Sequence, residues 1–380
     1  MSSSECALCN VIITSENDTR EHIIPNAIGG RKKVKGFICK ACNNSTGNSW
    51  ESELAKQLNP LSLFFGIKRE RGSAPSQVFE TTAGDKLNLN ADGSMSYEKF
   101  IYTETPFKDN RGVQINIRAR TMKEAKTLLN RAKENYPDVD INKISSDLKF
   151  ESSYSPDMLK FDMSFGGHDA GRSIVKSALA LAASSGIPSK LCTEAISYLK
   201  NEASEACFGY FYEFDLIKNR PKGIPIHCVS IKGCKNTEQV IAYVEYFGIQ
   251  RVVLCLSKSY KGKDVTNTYA INPMTGEELE LAVELNLTNN EIREAYEYKK
   301  IPTGSVEKAC EKVIPTGMVA SYDKEKNRVV NKAIQKAFEN CGAKEGEKLT
   351  QKHMEKVKNR VLEELMPFIL HQMSQSHLKD

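Results

Sequence analysis

Cys6-Ala7-Leu8-Cys9 and Cys39-Lys40-Ala41-Cys42-Asn43 bracket a segment that contains Glu21-His22-Ile23-Ile24-Pro25 and Gly29-Gly30. Two C-x-x-C pairs separated by 29 residues, positions 10 to 38, offer four thiolates from two tight turns. That number and spacing predict a tetrahedral zinc site held by Cys6, Cys9, Cys39 and Cys42. Four sulfurs close the coordination shell, so the zinc is expected to be structural and to fasten distant parts of a short segment together. The chain has 11 cysteines, an odd number. The other seven (Cys192, Cys207, Cys228, Cys234, Cys255, Cys310 and Cys341) are scattered and read mostly as buried thiols rather than a disulfide framework.

Outward from this segment, the composition bounds the class. The chain has 380 residues, enough for two or three domains. Lys plus Arg is 53 and Asp plus Glu is 48, a net charge of +5 that by itself marks no nucleic-acid binder. With 40% hydrophobic and 27% charged residues, collagen, a disordered tail and a membrane bundle are excluded. No apolar run reaches the roughly 18 residues of a spanning helix. Met1 to Glu5 lacks the charged and apolar regions of a signal peptide, so a cytoplasmic protein is expected.

The texture of the chain predicts an α+β protein in three parts. These are a zinc module over residues 1–60, a connecting segment over 61–110, and a larger mixed α+β region over 111–380. Periodicity predicts a helix over Thr46–Leu58, broken by Asn59-Pro60. Ala91-Asp92-Gly93-Ser94 reads as a hairpin turn. Val113, Ile115 and Ile117 read as a strand, Met122 to Ala132 as a helix, and Val139 with Ile141 as a second strand. Helices are expected over 170–185 and 190–204. Strands are expected at Tyr210–Leu216, Ile224–Ile231, Val240–Phe247, Arg251–Leu256 and Tyr269–Ile271, with a hairpin at Gly248. Helices return at Val329–Phe338 and at Met354–Leu370, the latter kinked at Pro367.

The residues between and after the knuckles point to chemistry. An imidazole titrates near neutral pH, so His22 can take a proton from water. A hard cation prefers oxygen ligands; Glu21 offers a carboxylate and Asn43 an amide oxygen. Together, Glu21-His22, Gly29-Gly30 and Cys39-Lys40-Ala41-Cys42-Asn43-Asn44-Ser45-Thr46-Gly47 resemble the HNH, or ββα-metal, endonuclease family. More narrowly, they resemble its branch with a four-cysteine zinc support, over about residues 5–58. The resemblance implies a ββα-metal module that cuts phosphodiester bonds with a catalytic Mg²⁺ or Mn²⁺. Carried over to this sequence, His22 is the general base, and Glu21 and Asn43 hold the catalytic cation.

Adjacent strand residues face opposite ways, so a bend or bulge near Pro25 is expected to bring Glu21 and His22 to one phosphate. Family members often carry an Asn or His on the second strand to orient the base. Arg31-Lys32-Lys33-Val34-Lys35-Gly36-Phe37-Ile38 has neither, which leaves a backbone carbonyl or Asn26 for that task. Asn44 is a spare cation ligand. Arg31, Lys32, Lys33 and Lys35 form the densest basic cluster near the motif and are candidate phosphate contacts, with a solvated loop as the plain alternative. Trp50 reads as core.

Beyond the module, His168, Arg172 and Lys176 recur every four residues and read foremost as a solvated helix face. His227, Cys228 and Cys234 read as core. The expected function is a DNA endonuclease, with RNA left open, and by analogy a part in restriction or anti-phage defence. Two rivals stand beside it. One is a nuclease effector switched on by a small nucleotide bound to the C-terminal region, with the cationic stripe as its contact and a homo-oligomer as its form. The other is a non-catalytic zinc-stabilised nucleic-acid adaptor.

Overall fold

The computed structural model describes residues 4–107, 112–138, 140, 142, 144–145, 153–155 and 157–376. It is α+β and divides into two compact units, each made of two stretches: Met1–Pro75 with Asp162–Tyr322, and Ser76–Phe161 with Asp323–Asp380. These stretches do not follow boundaries at 60 and 110. Residues 61–65 prolong a helix, and residues 77–106 carry four strands.

The first unit opens with an antiparallel hairpin of β1 (Glu21–His22) and β2 (Lys33–Val34), Glu21 opposite Val34 and His22 opposite Lys33. A ladder this short cannot sustain itself. The loop between the strands folds back closely. A Cβ on Gly30 would meet the Ile24 carbonyl oxygen at 1.7 Å, and Gly29 has a φ of +100°. Both positions therefore demand glycine.

Helix α1 (Lys40–Thr46) follows Cys39 directly, passes through a π-helical turn (Gly47–Glu51) and continues as α2 (Ser52–Phe65). This is longer than the predicted Thr46–Leu58 at both ends. At the start, the second knuckle is itself the first helical turn, with the Asn43 N–H donating to the Cys39 carbonyl. At the far end, Pro60 removes a backbone bond at about 3 kcal/mol. Leu54, Leu58, Leu61 and Phe65 are each no more than 2% exposed. Their burial contributes about 1.5–3 kcal/mol apiece, so the helix runs through the proline. It stops at Gly66, whose φ is 67°.

The second unit contains β3 (Gln77–Glu80), β4 (Lys86–Leu89) and β5 (Met95–Tyr97) in one antiparallel sheet, with the β4–β5 turn at the expected Ala91–Ser94. A separate hairpin pairs β6 (Ile101–Pro106) with β7 (Val113–Arg118). Helix α3 (Met122–Asn135) follows, capped by the Thr121 side chain and burying Leu128, Leu129 and Ala132 as the spacing predicts. Val139 and Ile141, predicted as a strand, lie outside the described residues.

The first unit resumes with α4 (His168–Ser184) and α5 (Thr193–Lys200). Then come β8 (Phe208–Tyr210), β9 (His227–Cys234), β10 (Gln239–Tyr246), β11 (Gln250–Ser257) and β12 (Val265–Ile271). They form one antiparallel sheet in the order β12-β9-β10-β11-β8. The strand predicted at Tyr210–Leu216 shrinks to β8, because the Tyr212 N–H leaves the ladder to donate to the Lys300 carbonyl. The Gly248 hairpin is present, with Phe247 and Gly248 both at positive φ. Every residue of β10 and β11 is buried. Val240, Ala242 and Val244 pack toward α4, while Ile241 and Tyr243 pack on the other face with Leu285 and Ile292. Two covered faces explain why these strands read as nearly unbroken apolar runs.

Ile23, Ile24, Ile28, Phe37, Ile38, Leu54 and Leu58 of the zinc module belong to the same apolar core as α4 and that sheet. The module is thus one wall of a larger body. Short helices α6 (Asn289–Tyr296) and α7 (Ser305–Glu311) follow, then α8 (Ile314–Glu339) and α9 (Gln351–Ser376), which includes Pro367. Among the described residues, no helix is long and apolar enough to cross a membrane.

Candidate functional site

The sulfurs of Cys6, Cys9, Cys39 and Cys42 all lie within 4.8 Å of one another. Those of Cys9 and Cys39 are 3.7 Å apart. A tetrahedron with metal–sulfur bonds of about 2.3 Å has edges of roughly 3.8 Å, so the four thiols fit zinc. The Cys39 N–H donates to Cys6 Sγ at 3.3 Å. Burial raises the Cys6 thiol, but backbone N–H groups of Cys9, Cys39 and Leu8 outweigh it and bring its pKa to about 7. Hydrogen bonds thus favour the sulfur in the anionic form a metal takes.

The hairpin that this cluster clamps presents two different faces. Glu21 is 3% exposed and points inward to Lys176 of α4, whose Nζ lies 2.7 Å from Glu21 Oε1. The contact is an ion pair whose angle leaves Oε1 without a directed hydrogen bond. The same ammonium donates to Thr46 Oγ1 at 2.8 Å and to Glu51 Oε1. Burial pushes the Glu21 carboxyl above its ordinary value, the Lys176 charge pulls it back, and neighbouring Glu51 pushes it up again. The Asn43 side chain donates to Thr19 Oγ1 at 2.7 Å, and the Thr46 hydroxyl donates to the Asn43 carbonyl. Glu21, Thr46, Glu51 and Lys176 are therefore joined in one network, which Asn43 enters through its backbone carbonyl while its side chain is used on Thr19. The Lys176 ammonium already faces both carboxylates, so the cation site expected at Glu21 is filled by a positive side chain.

His22 faces the other way. Its Nε2 lies 3.2 Å from Glu70 Oε2. The same carboxylate oxygen takes Lys33 Nζ at 2.7 Å, and the Glu70 N–H donates to Asn26 Oδ1. Burial lowers the His22 pKa below the usual imidazole value, against the opposing pull of the Glu70 hydrogen bond. The Lys33 hydrogen bond, helped by His22, holds the Glu70 carboxyl low. The expected bend at Glu21-His22 is absent, because both residues sit in a regular two-residue ladder. Glu51 nevertheless acts electrostatically on both Glu21 and His22.

Glu70 takes the place expected for a backbone carbonyl or Asn26 beside the imidazole. Asn26 instead fixes Glu70. Of the basic cluster, Arg31 donates to the Lys68 carbonyl at 2.7 Å, and Lys32 sits 5.1 Å from the Tyr269 ring and 3.9 Å from Glu278. Lys33 is committed to Glu70, and Lys35 is exposed. Asn44 is exposed on α1.

The stripe His168, Arg172, Lys176 is not the solvated face expected. Only His168 is exposed, whereas Arg172 and Lys176 are 6% and 3% exposed. Arg172 lies 5.3 Å from the Trp50 ring centre, so that half-buried Trp50 is a stacking partner as well as a core residue. Spacing alone could not show that this face meets an acidic pair. His227 and Cys228 are fully buried as expected, and Cys234 is half-buried. The His227 ring donates from Nε2 to the Ile28 carbonyl at 2.8 Å and accepts the Phe247 N–H on Nδ1 at 3.0 Å.

No curated protein and no solved structure matches the chain. One family model, described as HNH endonuclease, matches residues 6–59. That stretch carries all four clustered thiols, the Glu21-His22 hairpin and Asn43. The segment from Cys6 to Asn59 is therefore similar to HNH endonucleases, within a larger α+β protein.

Proposed function

We propose that the protein is a metal-dependent endonuclease that hydrolyses phosphodiester bonds in DNA. The observation that carries this reading is His22: an imidazole on a thiol-clamped hairpin, with one ring nitrogen engaged by a carboxylate and its pKa held low. With Nε2–H donated to Glu70, Nδ1 keeps its lone pair and accepts a proton from water. The water oxygen bonds to phosphorus, the ester bond to the departing oxygen breaks, and that oxygen is protonated from solvent. Glu70 faces the imidazolium that forms. The resemblance assigns a Mg²⁺ or Mn²⁺ ion, which would supply positive charge at the phosphate, to Glu21 and Asn43. Here Glu21 is paired with Lys176 and the Asn43 side chain with Thr19, on the side of the hairpin away from His22, so holding the ion there would require those contacts to be exchanged.

The plan of a small cutter on a larger body supports a role in restriction or anti-phage defence by analogy. Lys176 and Arg172 are taken up by Glu21, Glu51 and Trp50, which removes the feature that had favoured a nucleotide-switched effector.

The test incubates purified protein with supercoiled DNA, branched DNA and RNA in Mg²⁺, Mn²⁺ or EDTA. Cleavage in the divalent cations, none in EDTA, and a His22→Ala loss of about 10²–10⁴-fold are expected. Retention of DNA without cutting would identify an adaptor instead, and wild-type cutting by His22→Ala would remove the base from its role.

A further inference from the structure

The bend that follows α2, Lys68-Arg69-Glu70-Arg71-Gly72, lies beyond the family-matched segment, yet it returns to the hairpin that carries His22. Three contacts fasten it there. Ile67 packs so closely on Gly29 that a Cβ on the glycine would meet Ile67 Cγ2 at 2.8 Å. Arg31 Nη2 donates to the Lys68 carbonyl at 2.7 Å. The Glu70 N–H donates to Asn26 Oδ1 at 3.0 Å, and the Glu70 carboxylate reaches both His22 and Lys33. A polar bend held at three points is preorganised, which a merely solvated loop has no need to be.

Cations collect on this bend and on the hairpin loop beside it. Lys32, Lys33, Lys68 and Arg71 are exposed, and Arg31 and Arg69 are half-buried. The acid among them, Glu70, is already used on Lys33 and His22. Among the described residues, Lys68, Arg69 and Arg71 have no ion-pair partner. Arg69 goes further: its Nε is buried and donates to nothing. A guanidinium keeps its proton, and a buried charged donor without an acceptor is costly. An anion seated on the bend would relieve that cost and the repulsion among the unpaired cations. Glu70 ties the bend to the imidazole, so such an anion would lie beside His22. A nucleic-acid strand carries one charge about every 3.4 Å, so it meets several of these cations at once.

We propose that Lys68, Arg69 and Arg71 grip the phosphodiester backbone of DNA beside His22, and that this grip comes from outside the HNH-like segment. The proposal deepens the endonuclease reading and rests on it. It moves the main phosphate contacts away from Arg31 and Lys33, which the Lys68 carbonyl and Glu70 engage, to three residues later in the chain. Contacts of this kind position a strand without reading its sequence.

The test measures binding of a short labelled DNA duplex to the full-length protein by fluorescence anisotropy, in EDTA so that nothing is cut, from about 50 to 200 mM salt. The wild type is compared with Lys68→Gln/Arg71→Gln, with Arg69→Gln, and with Lys123→Gln/Lys126→Gln on α3 of the second unit, which removes the same charge elsewhere. Zinc content and circular dichroism check folding, and the double variant at two exposed positions decides the matter should Arg69→Gln fold poorly. The Lys68/Arg71 variant is expected to bind about tenfold more weakly, with a log–log salt slope shallower by about two. For Arg69→Gln the loss is about three- to tenfold and the slope shallower by about one, while the α3 variant stays within about twofold of the wild type. In cleavage assays KM for DNA rises in step with these losses and kcat holds within about twofold. Unchanged affinity and slope in the Lys68/Arg71 variant would overturn the proposal. An equal loss in the α3 variant would also overturn it, because net charge alone would then account for binding, and so would a wild type that binds no duplex. If the wild type binds with the expected slope but cuts nothing in Mg²⁺ or Mn²⁺, the endonuclease reading fails while the grip on the backbone stands.

Discussion

The four-thiol segment and the five-stranded sheet share one unit and one apolar core, but their strands are held by different means. In the sheet, β10 and β11 bury all eight residues each, and the ladder and apolar contacts suffice. In the clamped segment, strands of two residues carry Glu21 and His22, and thiols, glycines and a buried ammonium take over. A small element that must display polar groups cannot also bury enough apolar surface to hold itself. It leans on its neighbours and on four clustered thiols that fit a zinc ion.

The sharpest way to break this contrast is to remove a sulfur. Cys39→Ser is expected to abolish zinc binding and unfold the hairpin, since a structural zinc contributes about 10–16 kcal/mol in small modules. Zinc analysis and amide hydrogen exchange would show protection lost around β1 and β2 and largely kept in β10 and β11. Protection retained at Glu21 and His22 without zinc would mean that packing alone supports the hairpin.

A smaller effect is expected where the two regions meet. Burial lowers the pKa of His227 to about 4, and its ring joins β9 to the Ile28 carbonyl. The folded protein refuses a proton that the unfolded chain accepts below about 6.5, so stability is complete above that pH and declines as pH falls toward 4. The loss amounts to roughly 3 kcal/mol. Urea unfolding of the wild type and His227→Gln, at pH 7.5 and 4.5, isolates this part. Equal pH slopes in the two proteins would show that His227 is not the group responsible.

The smallest effect expected is confined to the open face of the hairpin. Glu70→Gln keeps a group able to accept from Nε2 but removes the charge facing an imidazolium. Cleavage should fall about three- to tenfold in kcat, with zinc content and thermal stability unchanged. A loss as large as that of His22→Ala would mean that Glu70 takes part in the chemistry directly.

What the sequence revealed follows the same division. The four thiols, Glu21-His22 and the glycine pair stand at fixed short spacings, so they were legible without coordinates. The β10 and β11 runs and the Gly248 turn were legible because burial on both faces leaves a plain apolar record. The partners of the site were not. Glu70 lies 48 residues beyond His22, and Lys176 lies 155 beyond Glu21. Only the tertiary fold brings them together, and a cationic stripe on a helix looks alike in the sequence whether it meets water or carboxylates. Pro60 misled for a related reason, since local propensity does not register how much apolar surface the later turns of α2 bury.

The π-helical turn at Gly47–Glu51 carries one more consequence. It inserts an extra residue between the thiol-bearing start of the helix and its apolar end, and so sets the angular phase between them. Each residue of an ordinary helix advances by about 100°. Loss of a single residue here would rotate Leu54 and Leu58 off the core, or else swing Cys42 and Asn43 out of alignment. Length in this turn is therefore constrained even where side-chain identity is not.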